Sequence, residues 1–121
     1  MQNVTHRILG VLCATVLLVF ATHAAIAQDA VKVDPQHYKV ESENAQVRVL
    51  RITYGPHEKS VMHGHPTSVA VFLTDGQVQF TLPNGKTEER TWKAGQTMWL
   101  PAGKHLPENV SKDPRSKLRG F

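Results

Sequence analysis

The sequence predicts an all-β protein built as a small antiparallel sandwich or barrel, and three observations predict it. Turn signals such as Tyr54-Gly55-Pro56, Asp75-Gly76, Pro83-Asn84-Gly85 and Lys93-Ala94-Gly95 recur every eight to ten residues. The runs between them are short and rich in Val, Ile, Thr and aromatic residues, or alternate apolar with polar side chains. No helical apolar period survives beyond residue 27.

In chain order, residues 1–7 form a short polar start carrying the positive charge of Arg7, and residues 8–21 are an apolar run. Ala25-Ile26-Ala27 then supplies small residues where a signal peptidase reads them. Residues 1–27 therefore read as an N-terminal signal helix cut after Ala27, which places the mature chain in the periplasm or outside the cell. The run is too short to span a ~30 Å hydrocarbon core comfortably, so no stable membrane association is expected after cleavage. The single cysteine, Cys13, follows Leu12 rather than a small residue and leaves with the signal. The mature chain then has neither a thiol nucleophile nor a disulfide framework.

Residues 28–36, with Pro35, read as a polar linker. Strands are expected at 38–41, 46–53, 60–65, 68–74, 77–82, 86–92 and 96–100. The 77–82 segment alternates most cleanly, with Val78, Phe80 and Leu82 on one face. Asp-Gly and Asn-Gly supply the positive φ angles that tight hairpins need. Residues 37–110 are assigned to one barrel domain and residues 111–121 to a basic polar tail.

The chain of 121 residues has a net charge of +4, but the excess lies at its ends. Residues 28–109 carry 9 Lys and Arg against 9 Asp and Glu. A nucleic-acid binder is expected to show a basic face on its folded body, so no nucleic-acid partner is expected.

Five histidines remain in the mature chain: His37, His57, His63, His65 and His105. In an extended segment His63 and His65 point to one face, ~6.6–7 Å apart along the strand. Two imidazoles so placed can converge on one ion, and neutral imidazole suits Zn, Cu, Fe and Ni. By spacing alone His-x-His is a weak signal, and two exposed or hydrogen-bonded histidines are the favoured reading. His105 follows the turn Pro101-Ala102-Gly103-Lys104, within reach as a third ligand if a barrel brings separate hairpins together.

The surroundings of these histidines resemble the two signature motifs of the cupin superfamily. Against Gly-x5-His-x-His-x3,4-Glu-x6-Gly, the residues His63, Gly64, His65 and Gly76 fit. Against Gly-x5-Pro-x-Gly-x2-His-x3-Asn, the residues Gly95, Pro101, Gly103, His105 and Asn109 fit in order. The resemblance covers about residues 57–109. It implies a jelly-roll-like conserved barrel with a divalent transition metal inside (Fe, Zn, Mn, Ni or Cu), held by His63, His65 and His105. It also implies a homodimer formed through a sheet edge.

Several positions depart from the motifs. His57 stands at the first Gly position, Val69 or Ala70 at the Glu position, and one residue is missing between Gly103 and His105. A three-nitrogen site leaves coordination positions open for water or substrate. The nearest analogy of ligand set is with three-histidine iron cupins that cleave diketones or oxidise thiols, an analogy that does not carry function. Residues 110–121 are polar and interrupted by Pro114, so a barrel lacking its last strand is expected, with a partner chain able to complete it. His57 as a fourth nitrogen, and Tyr54 and Glu108 at the barrel mouth, complete the candidate residues. Glu88 and Glu89 are neighbours on a strand and face opposite ways.

Three functions stay open on the sequence: a metal-dependent enzyme acting on a small molecule, a non-enzymatic module binding a metal or small ligand, and a degenerate cupin that acts by associating with another chain.

Overall fold

A computed structural model describes residues 28–113, 115 and 117–120. The signal helix expected over 1–27 lies outside the described residues. Among the described residues, no helix is long and apolar enough to cross a membrane.

One short helix, α1 (Ala30–Val33), precedes nine strands: β1 (Tyr38–Glu43), β2 (Arg48–Tyr54), β3 (His63–His65), β4 (Ser68–Val71), β5 (Gly76–Thr81), β6 (Thr87–Trp92), β7 (Thr97–Leu100), β8 (Gly103–Asn109) and β9 (Leu118–Gly120). Strands pair in the orders β1-β2-β9, β4-β7 and β3-β8-β5-β6. A bridge between Phe72 and Gly120, with Leu73 N–H donating to Arg119 O at 2.9 Å, carries the first set on to the second. The result is two facing antiparallel layers, β1-β2-β9-β4-β7 and β3-β8-β5-β6.

The alternation read from the sequence explains the core. Val78 faces inward from β5 and is buried with Tyr38, Tyr54, Phe72, Trp92, Leu118 and Ala30. Phe72 and Trp92 stack with ring centroids 4.0 Å apart. The wall passes so close at Gly76 that a Cβ there would run into the Leu118 side chain and the Trp92 indole. The glycine in the first motif is thus a packing requirement. Asn84-Gly85 makes the tight turn between β5 and β6, with Gly85 at φ +83°.

The structure corrects two expectations and adds a strand. Residues 28–36 are not a linker. Asp29 caps α1 by accepting from Val31 N–H, and Ala30 and Asp34 are buried. Residues 111–121 are not only a polar tail, because β9 pairs with β2 in the register Ile52↔Gly120, Thr53↔Arg119 and Tyr54↔Leu118. Leu118, an isolated apolar residue in a basic stretch, is 4% exposed, so the expected missing strand is present. Finally, 103–109 is a strand despite Pro107. The Pro107 carbonyl accepts from Ser60 N–H at 2.9 Å, and the residue sits opposite Phe80.

Candidate metal centre

β3 and β8 bring the three predicted histidines together. They pair antiparallel with His63 directly opposite His105 and His65 opposite Gly103. Directly opposed residues share a face, and so do residues two apart on one strand, so all three imidazoles emerge on one face. The ring centroids of His63 and His105 are 5.0 Å apart, and those of His65 and His105 are 4.5 Å apart. With metal–nitrogen bonds of ~2.1 Å, imidazoles sharing one ion have centroids roughly 4.5–5.2 Å apart. The backbone therefore sets a suitable spacing. Among the described residues, however, no group of three His, Cys, Asp or Glu side chains is arranged to hold an ion.

The hydrogen bonds around the trio favour ligation in chemical type. His63 Nδ1 lies 2.9 Å from Val61 O, and His65 Nδ1 lies 3.1 Å from Pro66 O. A carbonyl only accepts, so each neutral ring carries its proton on Nδ1 and leaves Nε2 bare. Burial, reinforced by the neighbouring imidazoles His65 and His63, pushes the His105 pKa down to about 3. Burial also lowers that of His63, against the Val61 carbonyl, which raises it. Neutral imidazole is the form a metal requires. Phe80 stacks on His105 at 4.8 Å and Tyr38 meets His63 edge-on at 4.8 Å, so the site has an aromatic wall.

The remaining candidates lie elsewhere. His57 is exposed in the turn before β3, at φ +57°. Tyr54 is buried at the end of β2 with its hydroxyl 2.6 Å from that of Tyr38 and its ring stacked on His37, so it does not line a mouth. Glu108 alternates with Asn109 and sits one residue out of phase with His105, on the opposite face of β8. At the motif's acid position, Val69 is 53% exposed while Ala70 packs against the core, so the position that faces inward carries a methyl group.

Sequence reasoning missed a buried polar cluster beside the trio. Asp34, His37 and Ser60 are each buried. His37 Nδ1 meets Asp34 Oδ2 at 2.7 Å, His37 Nε2 meets Glu58 Oε2 at 3.0 Å, and Ser60 Oγ donates to Asp34 Oδ2 at 2.5 Å. Burial alone raises the Asp34 pKa, but the hydrogen bonds from Ser60 and His37 prevail and hold it below the usual value. Here the carboxylate stands between the serine and the histidine. A nucleophilic triad needs the histidine in the middle, so this cluster does not activate Ser60. Asn109, the motif asparagine, is wholly buried; its Nδ2 donates to Gly55 O at 2.9 Å and fixes the turn after β2. Only Asn109 carried a signal in the sequence.

Two surface hollows lie away from the trio. One of about 580 Å³ is bordered by Trp92, Lys93, Arg115 and Arg119, and one of about 340 Å³ by His37, Thr53, Glu58 and Lys117.

No protein-family model matches the chain, and no curated protein matches it. Among solved structures, the chain is similar to a cupin domain from Bordetella pertussis Tohama I. That match has 22% identity and a TM-score of 0.60, over 69% of this chain and 84% of that one. A cupin-2 domain-containing protein from Shewanella frigidimarina NCIMB 400 matches at 18% identity and a TM-score of 0.46, over 70% of this chain and 78% of that one. A cupin 2 conserved barrel domain protein from Salinispora arenicola CNS-205 matches at 17% identity and a TM-score of 0.47, over 69% of each chain. The chain has the cupin fold.

Proposed function

We propose that the protein is an exported cupin-fold metal binder that holds one divalent transition ion through His63, His65 and His105. The observation that carries this reading is the β3–β8 register, which sets His105 opposite His63 and on the same face as His65. The donor set fits a transition ion in type: three imidazoles, each of the β3 pair with its Nδ1 directed at a carbonyl. When bound, such an ion supplies a Lewis-acidic centre with positions open to a small molecule.

The chain's own residues support binding more directly than turnover. Tyr54 is tied to Tyr38, Glu108 faces away, and Ala70 occupies the inward acid position. The reading with most support is thus a site that holds a metal and a small ligand, with enzymatic turnover as the second reading. The association reading rested on an open barrel, and β9 fills the position that prompted it.

The test is elemental analysis of the protein purified from the exported fraction without chelator or nickel resin. The expected result is near-stoichiometric metal, lost in His63→Ala and His105→Ala. Metal content unchanged in both variants overturns the ligand assignment. Intact mass of the same material tests cleavage after Ala27.

A further inference from the structure

Residues 28–37 are tied to β3 at two points. Gly64 N–H, between the two β3 histidines, donates to Gln28 O at 2.9 Å, and Asp29 bridges Gly64. The second tie runs through side chains. The Asp34 carboxylate accepts from the Ser60 hydroxyl, from the His37 ring and from His37 N–H. Ser60 Oγ then lies 3.4 Å from His63 Nδ1, a long contact, beside the 2.9 Å approach of Val61 O to the same nitrogen.

The direction of this chain of bonds is fixed by its first member. A carboxylate can only accept. The one hydroxyl proton of Ser60 is therefore spent on Asp34, and Ser60 can only accept from His63. Val61 O can only accept as well. Both neighbours of His63 Nδ1 thus require a proton there, and Nε2 is left as the lone-pair nitrogen on the face shared with His65 and His105. Were Asp34 a donor, Ser60 would be free to turn its proton toward His63 and oppose Val61.

We propose that Asp34, acting through Ser60, is a positioning residue that sets the His63 tautomer, which makes residues 28–37 a working part of the histidine centre. Its consequence for an ion rests on the three-histidine reading; the tautomer itself does not.

The experiment uses the chelator-treated protein, labelled with ¹⁵N on histidine, at one fixed pH. The His63 signals are assigned by their loss in His63→Gln. The wild type is expected to show a pyrrole-like Nδ1 and a pyridine-like Nε2. In Asp34→Asn the carboxamide can donate to Ser60, and the His63 signals are expected to move toward a mixture of tautomers. Ser60→Ala removes one of the two acceptors at Nδ1 but leaves Val61 O, so a smaller shift in the same direction is expected, and Ser60→Thr should keep the wild-type pattern. Zn²⁺ affinity is expected to fall 10–100-fold in Asp34→Asn and Ser60→Ala, and to recover in Ser60→Thr. If Asp34→Asn does not fold, the two Ser60 variants decide. An unchanged His63 tautomer in the folded variants overturns the proposal, whatever happens to affinity. A wild type that takes up no Zn²⁺ overturns the ligand reading instead, and the tautomer still decides this one.

Discussion

Around Asp34 the polar atoms are closely matched: the carboxylate takes the Ser60 hydroxyl and the His37 ring, and His37 reaches on to Glu58. Around His105 the neighbours are two other imidazoles and the face of Phe80, and among the described residues no hydrogen bond reaches its ring. The first region has one histidine and the second three, and both lean on β3 or the residues just before it. One has spent its donors and acceptors on itself and behaves as scaffold. The other has kept ring nitrogens in reserve, which a fold does only at some cost in buried polarity. That contrast separates the histidines that hold the fold from those available for chemistry.

The sharpest way to break the comparison is to remove the scaffold's anion. Asp34→Ala leaves His37 and Ser60 buried without their acceptor and is expected to cost about 3–5 kcal/mol in a urea titration. A loss below about 1 kcal/mol would mean that the cluster is solvated and structurally idle. Next in size, Leu118→Ala is expected to cost about 2–4 kcal/mol, since it empties a core position between Gly76 and Tyr54. A neutral result would return 111–121 to the status of a tail.

Acid sharpens the contrast by separating the two regions in pH. His63 and His105 have depressed folded pKa values, so the unfolded chain takes up protons first. Stability of the metal-free protein should fall as pH drops below ~6.5, by up to ~1.4 kcal/mol per unit for each fully depressed ring. Asp34 is depressed in the other chemical sense: its ionised form is favoured by folding, so its contribution is complete above ~3.9 and is lost only below that. His105→Leu should leave stability at neutral pH within about 1 kcal/mol of the wild type and flatten the limb between pH 6.5 and 4. An unchanged limb, measured by denaturation at a series of pH values, would show that the trio is open to water. The smallest effect is expected at Val69→Glu. This side chain is exposed opposite Trp99, and its replacement should shift stability by no more than about 0.5 kcal/mol. It should add nothing to metal uptake, although it restores the acid at one of the two motif spacings.

Much of the barrel was legible because its signals are local. Alternation in 77–82, Asn84-Gly85 and the spaced turns each act within a few residues. The His63–His65 face followed from strand geometry, and the likeness to the cupin motifs placed His105. What escaped detection depends on distant partners. Asp34 is just one acid beside a proline until Ser60, 26 residues on, donates to it. Leu118 is one apolar residue among charges, and its strand exists because β2 and the Phe72 bridge flank it. β8 was not among the expected strands; it holds Pro107, whose missing N–H is tolerated because its carbonyl is taken by Ser60 N–H.

The position of β9 bears on how the chain folds. β1 and β2 are joined by a short connection and can pair at once, whereas β9 must return across more than sixty residues to lie between β2 and the β4 segment. Loop closure over that distance is slow compared with hairpin formation. Until it happens, β2 and β4 present unpaired backbone edges to whatever is near. A chain in which β9 has not yet docked carries a slot one strand wide, and the identical segment of a second molecule fits it as well as the chain's own. At high concentration, refolding should thus produce strand-exchanged assemblies, and dilution should suppress them.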